Sequence, residues 1–124
     1  MNNKLQQRVI QVRDKAPLWS AQSTDGTVNL TDYLGQMGVL LLFYEADWMD
    51  ACCDNLSLLE ELLHMTKDLQ LKAFGLSADG PGSHKAFAHQ IGLKQVKLLT
   101  DFRYEIARSY GLLNAEGEIG RAHV

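Results

Sequence analysis

Val39-Leu40-Leu41-Leu42-Phe43-Tyr44 is six apolar residues without polar alternation, the pattern of a strand buried on both faces. Across residues 48–69 the period becomes helical. Leu56, Leu59, Leu62, Leu63 and Thr66 recur at three- and four-residue steps, with Glu60, Glu61, Lys67 and Asp68 on the other faces. Ala73-Phe74-Gly75-Leu76-Ser77 predicts a second buried strand, closed by an Asp79-Gly80-Pro81-Gly82 turn. Ser83 is placed to cap a helix that carries Phe87, Ala88 and Ile91 and ends at Gly92. Residues 96–99 read as a third, short strand, and residues 103–110 as a last helix stopped by Gly111. Upstream, Asp25-Gly26 between residues 18–24 and 27–30 signals a hairpin. Thr31 or Asp32 is placed to cap a short turn around Tyr33-Leu34 that ends at Gly35. Residues 120–124 begin to look extended.

Strands alternating with helices predict an α/β domain. Right-handed crossovers make the early strands parallel, with residues 39–44 near the middle of the sheet. Sites in such sheets lie at the carboxyl ends of the strands. Residues 45–53 occupy that place.

Composition narrows the picture. The 124 residues, 46% hydrophobic and 22% charged, suit one soluble domain over 1–124 that folds without disulfide staples. No apolar run is long enough to cross a membrane. Twelve basic against 15 acidic residues leave a formal charge of −3, which argues against broad attraction to nucleic acid. The polar start, lacking the apolar segment of an export signal, points to a reducing cytoplasm. His64, His84, His89 and His123 are dispersed, so surface or capping roles are expected and no metal centre. Nothing has the spacing of a phosphate loop, and no cofactor is expected.

The chemistry concentrates at Cys52 and Cys53. Neighbouring Cα atoms stand about 3.8 Å apart, below the roughly 4.4–6.8 Å of ordinary disulfides, so free thiols are expected. A cysteine in the first turn of a helix meets unsatisfied N–H groups and the positive end of the dipole, which favour the nucleophilic thiolate. At about 100° per residue, only one of the two faces the mouth of the site.

Several segments, in order, resemble the peroxiredoxins, the alkyl hydroperoxide reductase/thiol-specific antioxidant proteins of thioredoxin fold. They are Val12-Arg13-Asp14-Lys15-Ala16-Pro17-Leu18-Trp19, residues 25–33, Leu42-Phe43-Tyr44, Gly75-Leu76-Ser77-Ala78-Asp79 and Ser83-His84-Lys85-Ala86-Phe87. Leu98-Leu99-Thr100-Asp101, Ala107-Arg108-Ser109-Tyr110-Gly111 and Gly120-Arg121-Ala122 complete the series. The family signature P-x-x-x-[TS]-x-x-C lays its proline on Glu45, its Thr/Ser on Met49 and its peroxidatic cysteine on Cys52. Only the cysteine is kept. Tyr44, Trp48 and Cys53 are its neighbours along the chain, and the family's arginine matches Arg121. The resemblance implies that Cys52 attacks the peroxide O–O bond and becomes a sulfenic acid, with Arg121 stabilising thiolate and departing oxygen.

The departures have consequences. Met49 lacks the hydroxyl donor of the family's Thr, and Glu45 brings a negative charge near the thiolate in place of a shielding proline. Trp48-Met49-Asp50-Ala51-Cys52 also resembles the W-C-x-x-C of thioredoxins with its first cysteine replaced, which disfavours dithiol exchange. Cys53 is too close to resolve its neighbour. The reductant is then an external thiol, such as a thioredoxin-like protein, or a cysteine of a second subunit. In the resembled fold the strand at Arg121 continues into a further strand and a helix. With those elements missing, two explanations are open: the sequence is a fragment or shortened variant, or a second chain covers the apolar edge, for which a homodimer is the expectation.

The expected architecture is a thioredoxin-like three-layer sandwich with an N-terminal β-hairpin, a mixed central sheet and missing C-terminal elements. The expected activity is a slow, one-cysteine thiol peroxidase acting on hydrogen peroxide or organic hydroperoxides. The alternative is an inactive thioredoxin-fold binding or regulatory module.

Overall fold

The structure, a computed structural model, describes residue 11 and residues 13–119. The chain opens with the expected hairpin, β1 (Ser20–Ser23) and β2 (Gly26–Asn29). Its turn needs Gly26, whose φ of +119° is closed to residues with a Cβ. A 3₁₀ turn (Leu30–Asp32) leads to β3 (Gly38–Phe43), α1 (Asp50–Met65), β4 (Leu71–Ser77), α2 (Pro81–Ile91) and β5 (Val96–Thr100). A second 3₁₀ turn (Phe102–Tyr104) runs into the short α3 (Glu105–Ser109).

The five strands form one mixed sheet in the order β2-β1-β5-β4-β3. β3, β4 and β5 are parallel, and β1 pairs antiparallel with both β2 and β5. Among the described residues, 39–44 therefore lie at an edge and not, as expected from sequence, near the middle. The crossovers through α1 and α2 advance the same way across the sheet instead of doubling back. The hairpin then joins the far side, on β5. β3 is accordingly only half-buried: Val39, Leu41 and Phe43 pack against one core and Leu42 against the other, while Leu40 is 41% exposed.

Two cores flank the sheet. On one side, Trp19, Phe74, Leu76, Leu99 and Ile106 are buried together, with Tyr33 and Tyr110 packed against them. On the other, α1 and α2 bring Leu56, Leu63 and Phe87 onto Ala73, Val96 and Leu98. This is the expected three-layer arrangement.

Four local expectations are corrected. Leu62 is 47% exposed, because the inward stripe of α1 runs through Cys52, Leu56 and Leu63. Glu60 is not a solvated face residue, since its carboxylate accepts the N–H groups of Gln95 and Val96 at 2.9 Å and tethers the start of β5. α2 starts at Pro81 behind an N-cap at Gly80, so Ser83 lies inside the helix and does not cap it. The last helix is broken at its start, where Arg103 and Tyr104 adopt left-handed backbone with φ of 54° and 59°. The N–H groups of Ile106 and Ala107 in the first turn of α3 are instead taken by the two oxygens of the buried Asp101, at 2.7 and 2.9 Å.

Gly75 lets α1 approach β4. A Cβ there would meet Leu98 Cδ2 at 2.8 Å, Leu56 Cδ2 at 2.9 Å and Tyr44 Cε1 at 3.2 Å. We expect Gly75→Ala to cost about 1–3 kcal/mol by overpacking. Leu56 is fully buried, so Leu56→Ala is expected to cost about 2–5 kcal/mol. The double variant should lose less than the sum, because one change makes room for the other. Urea unfolding of the four proteins checks this.

Candidate active site

The carboxyl ends of the three parallel strands are polar: Tyr44 follows β3, Ser77 ends β4 and Thr100 ends β5. Between β3 and α1 the segment Tyr44–Met49 crosses this end. Its centre is Asp47, 5% exposed. Tyr44 Oη donates to Asp47 Oδ1 at 2.7 Å, and Ser83 Oγ donates to Oδ2 at 2.8 Å. His84 Nδ1 lies 2.9 Å from Oδ2 and 3.2 Å from Oδ1. The Asp47 backbone N–H donates to Asp79 Oδ2 at 2.7 Å, and that oxygen also accepts from Ser77 Oγ at 2.8 Å.

His84 was expected at the surface or in a capping role, yet it is fully buried in the second turn of α2. A carboxylate only accepts, so the contact with Asp47 is a hydrogen bond when Nδ1 carries the proton. Nε2 is buried and meets no partner among the described residues.

These contacts set the ionisation of the cluster. Burial alone pushes the Asp47 carboxyl up. Hydrogen bonds from His84, Tyr44 and Ser83 and the charge of His84 outweigh it and hold the group below the usual carboxylate range. Burial, reinforced by donation to Asp47, pushes the Tyr44 phenol far above its ordinary value, which keeps it a donor.

Trp48 follows with a φ of +72°, a left-handed backbone that costs an L-residue about 1–2 kcal/mol. Its side chain is fastened on α2, with Nε1 donating to Ser83 Oγ at 3.2 Å and the indole packed on Phe87, centroids 5.1 Å apart. Met49 is the N-cap of α1, extended and 41% exposed. Cys52 is the third residue of the helix, and the Cys53 N–H closes the first turn on the Met49 carbonyl at 2.8 Å.

The structure thus places Cys52 where the sequence reading put it, in the first turn of a helix at the carboxyl end of β3. Both cysteines are free thiols. Cys52 is 6% exposed and shares a buried cluster with Tyr44, Leu56 and Phe87, while Cys53 is half-buried against it. Tyr44 is buried, Trp48 is 54% exposed, and Glu45 is exposed. Arg121 lies outside the described residues. A cavity of about 310 Å³ opens between β1 and α3, lined by Ala21, Thr100, Asp101 and Ile106 among others. It takes no residue from the Tyr44–Cys53 segment. No cluster suited to a metal ion occurs among the described residues.

The chain matches the profile of the AhpC/TSA family over residues 12–124. It is 30% identical over 123 residues to a chloroplastic 2-cysteine peroxiredoxin of Chattonella marina var. antiqua, covering 91% of this chain and 63% of that protein. It is 27% identical over 114 residues to a mitochondrial peroxiredoxin of Saccharomyces cerevisiae, covering 87% of this chain and 44% of the relative. The chain therefore spans about half to two-thirds of the length of these relatives. Among solved structures it is similar to yeast mitochondrial 1-Cys peroxiredoxin, with a TM-score of 0.76 and 25% identity over 90% of this chain and 55% of that one. Reduced 2-Cys peroxiredoxin of Plasmodium vivax gives a TM-score of 0.73 and 28% identity, covering 82% and 58% of the two chains.

Asp47 gives the site an acid-labile component. Its folded value lies below the unfolded value of about 4, so its stabilisation is present above that value and lost as pH falls through the lower one. Asp47→Asn is expected to lower stability at neutral pH and to flatten its fall below about pH 4. Urea midpoints at neutral and acid pH, for wild type and variant, check this.

Proposed function

Because the chain belongs to the AhpC/TSA family of peroxiredoxins, we propose that it is a thiol-dependent peroxidase working through Cys52. The observation that carries this is the placement of Cys52, alone of the family's motif residues, in the first turn of a helix leaving the carboxyl end of a parallel strand. The first turn of a helix is a setting in which nucleophilic cysteines recur.

In the proposed step the Cys52 thiolate attacks the terminal, hydrogen-bearing oxygen of a hydroperoxide and the O–O bond breaks, the proton given up by the thiol going to the departing oxygen. Sulfur is oxidised to the sulfenic acid, and the other oxygen leaves with a proton as water or an alcohol. An external thiol then condenses with the sulfenic acid, releasing water and forming a mixed disulfide, and a second thiol frees Cys52 as the first leaves in a disulfide. Cys53 is no resolving partner, because adjacent Cα atoms stand about 3.8 Å apart, below the roughly 4.4–6.8 Å of ordinary disulfides. A reductant of thioredoxin type, a reducing compartment such as the cytoplasm and a homodimer belong to the same proposal. The exposed Leu40 on β3 and Leu58 and Met65 on α1 are apolar surface that a second copy would cover.

Met49 and Glu45 favour a second reading, a family fold kept as a binding module. Met49 offers only a thioether where the motif has a hydroxyl donor, and Glu45 stands in place of the proline.

The experiment is the reaction of reduced protein with hydrogen peroxide and an organic hydroperoxide, trapping the sulfenic acid and locating it by mass spectrometry. Oxidation confined to Cys52, faster than a free thiol and abolished by Cys52→Ser but not Cys53→Ser, is the expected outcome. Oxidation at free-thiol speed, or shared equally with Cys53, would leave the binding module. If the enzyme is right, Met49→Thr restores a donor and raises the rate, by up to about 10²-fold on the scale of oxyanion-hole donors.

A further inference from the structure

The loop that carries the cysteine helix is tied to a helix that supplies none of the motif residues. Asp47 takes three side-chain donors, and two of them, Ser83 and His84, come from α2, 36 and 37 residues away. The next residue, Trp48, holds a left-handed backbone and is fastened to the same helix through Ser83 and Phe87. The residue after it is the N-cap of α1, three positions before Cys52. Strained backbone between two anchored side chains persists only while the anchors hold.

We propose that Asp47 and His84 are positioning residues for Cys52: their buried contact clasps the strained Trp48 turn to α2 and thereby fixes the first turn of α1. Neither side chain needs to touch the peroxide. Met49 brings no hydroxyl to orient the thiolate, so its direction comes from the backbone of the turn, and the clasp sets that backbone. A released clasp lets Trp48 relax and the first turn of α1 lift from Phe87. The thiol is then more exposed and less well aimed, so access and peroxide chemistry change in opposite directions. This inference rests on the peroxidase reading for its catalytic consequence but not for the geometry of the turn.

The test uses the full reduced chain and follows alkylation of Cys52 by iodoacetamide, its oxidation by hydrogen peroxide, amide exchange over residues 50–53 and thermal melting. In His84→Ala, alkylation and exchange over residues 50–53 are expected to accelerate about tenfold or more as that turn opens locally. Oxidation at Cys52 should fall about ten- to hundredfold from lost alignment. His84→Asn offers an amide N–H where Nδ1 stood and should restore both rates most of the way, which a role in packing alone would not produce. Should His84→Ala fail to fold, Ser83→Ala removes one donor from Asp47 and the acceptor of Trp48, and should shift both rates the same ways by a smaller factor. Unchanged rates with a lowered melting temperature, or alkylation and oxidation rising together, would overturn the proposal. Wild-type oxidation at free-thiol speed would sink the peroxidase reading. Alkylation and exchange would still decide whether the clasp governs the turn.

Discussion

A carboxylate removed from water must find its donors inside the protein, and the carboxyl end of this sheet is arranged around that demand. Burying a lone charged group costs several kcal/mol or more, and Asp47 escapes the cost by drawing in Tyr44, Ser83 and His84. The donors arrive from two places: Tyr44 from the end of β3, the other two from the start of α2. The carboxylate therefore ties together the strand before the cysteine helix and the helix packed beside it. Its own N–H reaches Asp79, and Thr100 donates to the Asp79 carbonyl at 2.8 Å, which carries the connection across to β5. All three parallel strands end in one hydrogen-bonded set.

The elements were legible from the chain because each rests on local chemistry. The apolar runs at residues 39–44 and 73–77, the Asp25-Gly26 turn and the spacing of Leu56 and Leu63 each follow from what one segment does with water. The lateral order of the strands was not. Both sheet faces need apolar cover wherever a strand lies, so an unbroken apolar run does not distinguish a central strand from an edge one. The unexpected exposure of Leu62 and the tether made by Glu60 have the same origin. Which flank of a helix stripe is buried, and which carboxylate finds a strand's N–H groups, depends on a neighbour remote in sequence.

At the candidate site, the placement of Cys52 was legible because a strand followed by a helix start is written in the local pattern. Tyr44 and Trp48 were singled out only as neighbours along the chain, and both turn out to be fastened to other groups. Asp47, Ser83 and His84 were missed as a set. Ser83-His84 reads as an ordinary helix start, and Asp47 as one more polar residue after a strand. The pairing across 37 residues exists only once β3 and β4 lie side by side and bring α2 beside the loop.

The two tryptophans occupy contrasting surroundings. Trp19 is 8% exposed and meets Phe74 edge-on at 5.8 Å, deep on the far side of the sheet. Trp48 is half in solvent, stacked against α2 and bonded to Ser83. An indole in an apolar interior and one at a wet surface differ in polarity and quenching, so the intrinsic fluorescence divides into two populations. The blue component belongs to the core and stays constant while the fold is intact. The red, quencher-accessible component belongs to the turn above the cysteine, giving the chain its own optical probe beside Cys52.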